Sequence, residues 1–252
     1  MSTIATFVLI QPFEDLAEAI IDFFAEDVGF SWGLSIVLLT LVVRLLTLPL
    51  SLTGIRSMRR MQLVAPELKE VQEKYKDDRE RQQREMLALY KKHGVNPLAS
   101  CFPFLLQIPF FIAVYQLLRG DTFAQDVLDS GSSVGFLGVE NILEAPQGAE
   151  QIILILLFVS TTVLTFLYTT ATTQTATGPA RYIFLALPVL FIPVIANQPA
   201  GLAIYWITTN FWSLGQQIVV QRVMPPPTPP SPEERTKAAP PPPPPRKRKK
   251  RR

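Results

Sequence analysis

Residues 182–221 read YIFLALPVLFIPVIANQPAGLAIYWITTNFWSLGQQIVVQ and contain no Asp, Glu, Lys or Arg. About 20 apolar residues at ~1.5 Å rise per residue are enough for a helix to cross the hydrocarbon core of a bilayer. The segment NQPAG at 197–201 has the composition of a turn and divides the run in two. The stretch therefore predicts two membrane crossings joined by a tight hairpin.

Further long runs with almost no charge precede this stretch. Residues 93–118 and 151–180 contain no Asp, Glu, Lys or Arg, and Arg44 is the one such residue between Asp27 and Arg56. Runs of this length are typical of membrane helices. The sequence thus predicts an all-α integral membrane protein with five transmembrane helices, at 30–52, 96–118, 151–171, 182–196 and 202–221.

The net charge of +3 and the pI near 9.0 come from the end of the chain. Nine Lys or Arg and two Glu follow residue 224, so residues 1–224 carry a net charge of −4. The negative net charge of residues 1–224 excludes a basic nucleic-acid-binding domain there. We therefore expect no specific DNA binding. Cys101 and His93 are the single residues of their types. We therefore expect no disulfide, no metal site, no cofactor and no enzymatic chemistry.

The connections between the predicted spans alternate in charge. The segment before the first span and residues 119–150 hold twelve acidic residues against Arg119, whereas residues 56–92 hold eleven Lys or Arg against seven acids. Basic connections remain in the cytoplasm by the positive-inside rule. The sequence predicts an external N-terminus and a cytoplasmic C-terminus.

Three regions follow from these patterns. Residues 1–29 are predicted as an external amphipathic segment, with a helix over 13–30, and residues 30–222 as the membrane core. Residues 223–252 are predicted as a disordered Pro-rich cytoplasmic tail ending in RKRKKRR. Two interpretations of the tail remain open, namely attraction to anionic lipid and contact with ribosomal RNA.

Within the core, residues 56–92 have the pattern of a charged helical hairpin on the cytoplasmic side. Pro66 is expected to interrupt or kink its first helix, while Asp77 and Asp78 supply the turn and an N-cap. Two favourable i,i+4 ion pairs are predicted on its solvated faces, Glu70–Lys74 and Glu80–Arg84.

Arg44 is the most informative residue for function. A single charge within a span costs at least ~2.5–3.5 kcal/mol on insertion scales, and no Asp or Glu lies in any predicted span to pair with it. Snorkelling to the cytoplasmic headgroups is one explanation. The interpretation we favour is a hydrated polar groove that opens to the cytoplasm, and its candidate residues are Arg44, Gln107, Thr161, Thr165, Trp206 and Asn210.

Two blocks of sequence resemble a known family. LTLPLSLTGIRSMRRMQ (46–62) precedes QEKYKDDRERQQREMLALYKKHGVNPLASCFPFLLQIPFFIAVYQLL (72–118), and GLAIYWITTNFWSLGQQIVVQ closes the core at 201–221. Together they resemble the YidC-type membrane protein insertases of the Oxa/Albino family. The resemblance implies a bacterial plasma (inner) membrane location and a five-span core. It also places the family's groove arginine at Arg44 and a residue that contacts nascent chains at Trp206.

The function expected from this resemblance is that of a membrane protein insertase and chaperone. It would use a positively charged hydrophilic groove to insert nascent hydrophobic segments into the lipid bilayer. Nascent membrane proteins and lipid are the expected partners, with the ribosome and the Sec translocon as further candidates. Two alternatives stay open, a transporter or channel for a small anionic ligand and a scaffold whose hairpin recruits other proteins.

Overall fold

The computed structural model describes residues 2–94, 102–131, 133–173, 186 and 188–223. Residues 182–185 and 187 of the predicted fourth span, and all but the first residue of the predicted tail, lie outside these residues. The described residues form nine α-helices and a short π-helix, Phe23–Asp27. The α-helices are α1 Ser2–Asp22, α2 Trp32–Leu46, α3 Leu48–Lys74, α4 Arg79–Lys92, α5 Phe102–Arg119, α6 Asp121–Asp129, α7 Gly148–Thr173, α8 Ile192–Asn197 and α9 Ala200–Val223.

The helical character of the predicted spans is confirmed where the structure describes them, but the first span differs from its prediction. One continuous helix was expected over 30–52, whereas α2 ends at Leu46 and α3 begins after a bend of 56°. Pro49 lies in the first turn of α3, where it has no N–H to continue the hydrogen-bond ladder of α2. Thr47 closes α2, its hydroxyl donating to the carbonyl of Val43 at 2.8 Å.

Among the described helices, Gly148–Ala171 within α7 is long and apolar enough to cross a membrane, with a mean hydropathy of 2.3. The bent pair α2–α3 passes the same criterion when its helices are taken together. Length and composition of the described helices thus support one or two crossings. The count of five spans stays a prediction.

The charged hairpin predicted at 56–92 is present as α3 and α4. Asp78 caps α4 by accepting a hydrogen bond from the backbone N–H of Arg81 at 3.0 Å. Val64 and Leu68 are buried between the two helices. The expectation for Pro66 was partly wrong, because α3 continues through it without interruption. A proline inside a helix is tolerated where packing compensates for the lost hydrogen bond.

The core of the fold lies where α2 packs against α1 and α9, and α5 packs against the same two helices. The buried residues of α2 include Trp32, Ile36, Leu39 and Val43, which recur at helical spacing along one face. The N-terminus of α9 is closed by the loop before α7, because Ala200 and Gly201 donate backbone hydrogen bonds to the carbonyls of residues 144 and 142, both at 2.8 Å. Loop and helices thus form one packed end of the molecule.

The helix predicted over 13–30 is confirmed in part. The helix α1 begins earlier, at Ser2, and ends at Asp22, the π-helix Phe23–Asp27 follows it, and residues 28–30 are not helical. The buried residues Ala17 and Ile21 of α1 pack into the core, and Phe13 meets Phe110 of α5 edge to face at 5.0 Å between ring centroids. Leu16 and Phe23 stay exposed. The amphipathic pattern therefore serves packing on one face, while the acidic side chains surround that contact.

This crowding of acids perturbs one carboxyl group. Burial, and then the charges of Glu18, Glu26 and Asp126, raise the pKa of Asp22 to about 6. A folded-state pKa above the ordinary value means that the folded protein binds the proton more tightly than the unfolded chain. The contribution of Asp22 to stability is therefore greatest at low pH, and it falls as the pH rises through about 6.

We expect Asp22→Asn to raise the melting temperature of the detergent-solubilised protein relative to the unsubstituted chain at pH 8, and to have less effect at pH 5. Asp27→Asn, which removes a carboxylate from an exposed position, is the matched control. Melting curves of the three proteins at both pH values make the comparison. A gain for Asp22→Asn that is the same at pH 5 and pH 8 would contradict the role of ionisation.

Candidate functional site

Arg44 lies in the last turn of α2 and is partly buried. Its Nε atom is buried and has no hydrogen-bond partner among the described residues. No Asp or Glu in the described part of the chain comes within 4.0 Å of its guanidinium, since the recorded ion pairs there involve other residues. A cation in this position interacts favourably with the C-terminal end of α2, but it retains donor capacity.

Tyr205 of α9 is a polar residue within electrostatic range of Arg44. Its side chain is 2% exposed, and its hydroxyl interacts electrostatically with Arg44 and accepts a hydrogen bond from Nε2 of Gln107. Arg44, Gln107 and Tyr205 therefore join α2, α5 and α9 into one polar cluster, which we call the Arg44 cluster. Two of the six predicted groove residues meet here.

Sequence reasoning did not select Tyr205 as a site residue. A tyrosine inside an apolar run carries a hydroxyl that must find a partner when it is buried, so a signal was present. That partner is contributed by α5, nearly a hundred residues away in sequence. Spacing along α9 does not reveal such a contact.

A second polar set joins α7 to α9. Asn210 donates through Nδ2 to the hydroxyl oxygens of Thr161 at 3.2 Å and Thr162 at 2.8 Å, and Thr165 donates to the Asn210 carbonyl at 3.5 Å. Towards the end of α9, the Thr169 hydroxyl donates to Oε1 of Gln217 at 2.7 Å. We call this row of interhelical bonds the α7–α9 seam. It contains three further predicted groove residues, Thr161, Thr165 and Asn210.

Trp206 forms the centre of an aromatic cluster. Its ring meets Phe111 of α5, Phe158 of α7 and Phe191 before α8 edge to face, with centroid distances of 5.0, 5.1 and 4.9 Å. Such contacts are worth ~0.5–1.5 kcal/mol beyond the burial of apolar area. Trp206 is partly exposed, so the cluster packs three elements together and still presents an edge of the indole.

The six predicted residues are therefore distributed around α9 rather than gathered at one point. Tyr205 and Asn210 are five residues apart, which at ~100° per residue places them about 140° apart around the helix. The Arg44 cluster and the α7–α9 seam lie on different sides of α9. That all six residues line a single groove stays a prediction.

The predicted hairpin residues are exposed, as expected of a solvated surface: Glu70, Lys74, Asp77, Asp78 and Arg84. Arg84 forms the expected ion pair with Glu80. The other predicted pair, Glu70–Lys74, is wrong, because the Lys74 ammonium lies over the ring of Tyr75 instead, 5.5 Å from its centroid. Exposed pairs of this kind contribute little to stability, and either arrangement has a similar free energy.

No group of three or more His, Cys, Asp or Glu side chains that could hold a metal ion occurs among the residues described. The chemistry that the arrangement offers is electrostatic. It consists of a partly buried cation with unused donor capacity, supported by a tyrosine and a glutamine, and of a row of hydroxyl and amide groups on another side of α9.

Comparison with known proteins assigns the chain to a family. A sequence model of the "60Kd inner membrane protein" family matches residues 23–227. A membrane protein insertase YidC of Streptomyces avermitilis is 34% identical over 230 residues, which cover 80% of this chain and 54% of that protein. The membrane protein insertase YidC of Helicobacter pylori is 36% identical over 214 residues, covering 81% and 35%.

A solved structure agrees with the sequence relatives. An active YidC insertase, crystallised with its first transmembrane domain resolved, superposes with a TM-score of 0.62 at 25% identity, covering 82% of this chain and 45% of that one. The chain thus spans about half or less of the proteins it matches.

Proposed function

Because the chain belongs to the 60Kd inner membrane protein family, we propose that it is a membrane protein insertase and chaperone that brings nascent hydrophobic segments into the lipid bilayer. The relatives of known name are membrane protein insertases. The observation that carries the proposal is the partly buried Arg44, whose Nε has no hydrogen-bond partner among the described residues and which interacts electrostatically with Tyr205, itself hydrogen-bonded to Gln107.

An unpaired cation in an apolar bundle is costly, and such groups normally face water or a functional partner. The polar or acidic end of an incoming segment is a suitable partner, because its desolvation cost falls when it meets a positive charge and hydroxyl groups. The hydrophobic part of the same segment then partitions into lipid along the apolar flank of the bundle. This division of roles needs no cofactor and no covalent step.

The exposed surface of α7 supports such a flank. Its apolar side chains at Ile152, Ile153, Leu156 and Leu164 are 52–63% exposed. A row of this kind is stable only against lipid or another apolar segment. The α7–α9 seam lies on the opposite, packed side of α7 and keeps the helix in place.

The membrane topology belongs to the same proposal. Five spans, an external N-terminus and a cytoplasmic C-terminus agree with the alternation of charge between the connections. The bacterial inner membrane is the expected location. The hairpin α3–α4 and the tail would then face the cytoplasm, where the ribosome and the Sec translocon are candidate partners.

The test is insertion into proteoliposomes that contain the purified full chain. A single-span substrate with a short acidic N-terminal segment is synthesised in the presence of these vesicles, and insertion is measured as protection of that segment from protease. We expect protection well above that seen with empty vesicles. Permeability of the same vesicles to small anions is expected to remain at the level of empty vesicles. Anion flux without substrate protection would replace the proposal with the transporter alternative.

A further inference from the structure

Arg59 of α3 makes a contact that neither the sequence pattern nor the family assignment explains. Its Nη2 atom donates a hydrogen bond to the backbone carbonyl of Val220 in α9 at 3.0 Å, across 161 positions of sequence. Val220 is buried, and Arg59 is partly buried. The bond therefore connects the hairpin to the last helix of the core.

The carbonyl that Arg59 binds belongs to the last turn of α9, which ends at Val223. The last four carbonyls of a helix have no N–H partner within the helix, and they carry its partial negative charge. A guanidinium is well suited to this position, because it supplies both a hydrogen-bond donor and a positive charge. The side chain thus occupies a place where the backbone of α9 requires a partner.

The neighbouring arginines show that this orientation is specific. Arg56 and Arg60 lie one turn before and one residue after Arg59, and both are exposed. All three occur in the basic segment IRSMRRMQ at 55–62, so composition alone does not distinguish them. Only the tertiary structure shows that Arg59 is the arginine that binds the carbonyl of Val220.

The position of the hairpin depends on few constraints. It is connected to α2 through the 56° bend at Thr47, and α3 also packs against α5 and α7. The bend lies where the hairpin joins α2, so the hairpin can rotate about it. A contact 12 residues beyond the bend, such as that of Arg59, restricts this rotation.

We propose that Arg59 is a positioning residue that holds the hairpin α3–α4 against the cytoplasmic end of α9. The role rests on the proposed insertase function, because it fixes the hairpin relative to the helix that carries Tyr205, Trp206 and Asn210. The hairpin and the core then keep one relative position when an incoming chain arrives. Without the bond, the hairpin occupies a wider range of positions, and incoming chains meet the entrance less often.

The test measures the position of the hairpin directly, by electron–electron double resonance in lipid nanodiscs. Spin labels are placed at Asp77→Cys in the hairpin turn and at Ala171→Cys near the end of α7, both exposed positions, in a Cys101→Ser background. Arg59→Met keeps the length of the side chain but removes its donors and charge. Arg60→Met is the matched control. We expect the distance distribution to broaden about twofold or more with Arg59→Met and to stay unchanged with Arg60→Met.

Two further measurements separate positioning from a general loss of stability. Arg59→Lys keeps the charge and a donor, and we expect it to restore most of the narrow distribution. The melting temperature in detergent is expected to be similar for Arg59→Met and Arg60→Met. Equal distributions for these two variants would overturn the positioning role. A broadened distribution with unchanged substrate insertion would retain the contact but remove its link to the proposed function.

Discussion

Arg44→Glu is expected to abolish insertion of substrates whose translocated segments are acidic. The change replaces the attraction at the Arg44 cluster by repulsion. Each ~1.4 kcal/mol lost corresponds to a tenfold lower equilibrium or rate. Unit charges about 4 Å apart near a protein surface interact by about 4 kcal/mol, so a loss of at least tenfold is expected in the proteoliposome assay.

Two controls make this result specific to charge at one position. Arg44→Lys keeps the cation, and we expect it to retain most of the insertion activity. Arg60→Glu changes the charge of the chain by the same amount at an exposed site, and it should have little effect. A substrate whose acidic residues are replaced by neutral ones should lose its dependence on Arg44. Unchanged insertion of acidic substrates by Arg44→Glu protein would rule out the electrostatic role.

Folding of the variant is checked separately. Arg44→Glu keeps a hydrogen-bonding group at a partly buried position in the last turn of α2, where a carboxylate can still accept hydrogen bonds. We therefore expect the melting temperature in detergent to change less than insertion does. A variant that fails to fold is replaced by Arg44→Gln, which removes the charge and keeps hydrogen-bonding capacity.

The second large effect is expected at Gly33, where α2 passes close to Phe136 in the loop before α7. A Cβ atom built on Gly33 would lie 2.2 Å from Cβ of Phe136, which is too close for any pair of carbon atoms. Gly33→Ala therefore forces the loop away from α2. Overpacking of this kind costs about 1–3 kcal/mol of unfolding free energy.

Gly215 provides the matched control for this substitution. It also lies inside a helix, α9, but no atom comes within 4 Å of a Cβ built on it. Gly215→Ala should therefore raise stability by about 0.5–1 kcal/mol, since alanine has less conformational entropy to lose in a helix. Melting curves in detergent compare the two variants. The pair Gly33→Ala and Phe136→Gly should recover part of the loss, because Phe136→Gly removes the Cβ atom that the new methyl group would meet. Equal curves for Gly33→Ala and Gly215→Ala would contradict the close contact.

Much of the helical architecture was predictable because it follows from local sequence. Charge-free runs of suitable length predicted both ends of α7 and α9 within three residues, and the C-terminal end of α5 within one residue. The predicted start of the α5 span lies outside the described residues. The hairpin was predictable for the same reason, because the cap at Asp78 and the apolar spacing around Val64 and Leu68 are local features. The bend at Thr47 was missed, although Pro49 signals it, because the run without charges continues past the end of α2.

The candidate site was predictable only in part. Arg44 stands out in the sequence because a charge in an apolar run is rare and costly. Its partners do not stand out, because Gln107 and Tyr205 come from two other helices and meet only when those helices pack. Tyr205 and Asn210 lie on different sides of α9. Which neighbouring helix each of them contacts depends on how α9 is rotated in the bundle.

The sequence by itself therefore determined which segments are apolar helices, where the charges lie along the chain and which cation lacks an acidic partner nearby in sequence. Only the tertiary structure decided that Tyr205 lies within electrostatic range of Arg44, that Arg59 rather than Arg56 or Arg60 binds the end of α9, and that Gly33 must stay without a side chain. The physical reason is the range of the interactions. Helix formation and apolar transfer depend on a residue and its near neighbours, whereas these contacts join residues about 100 or more positions apart.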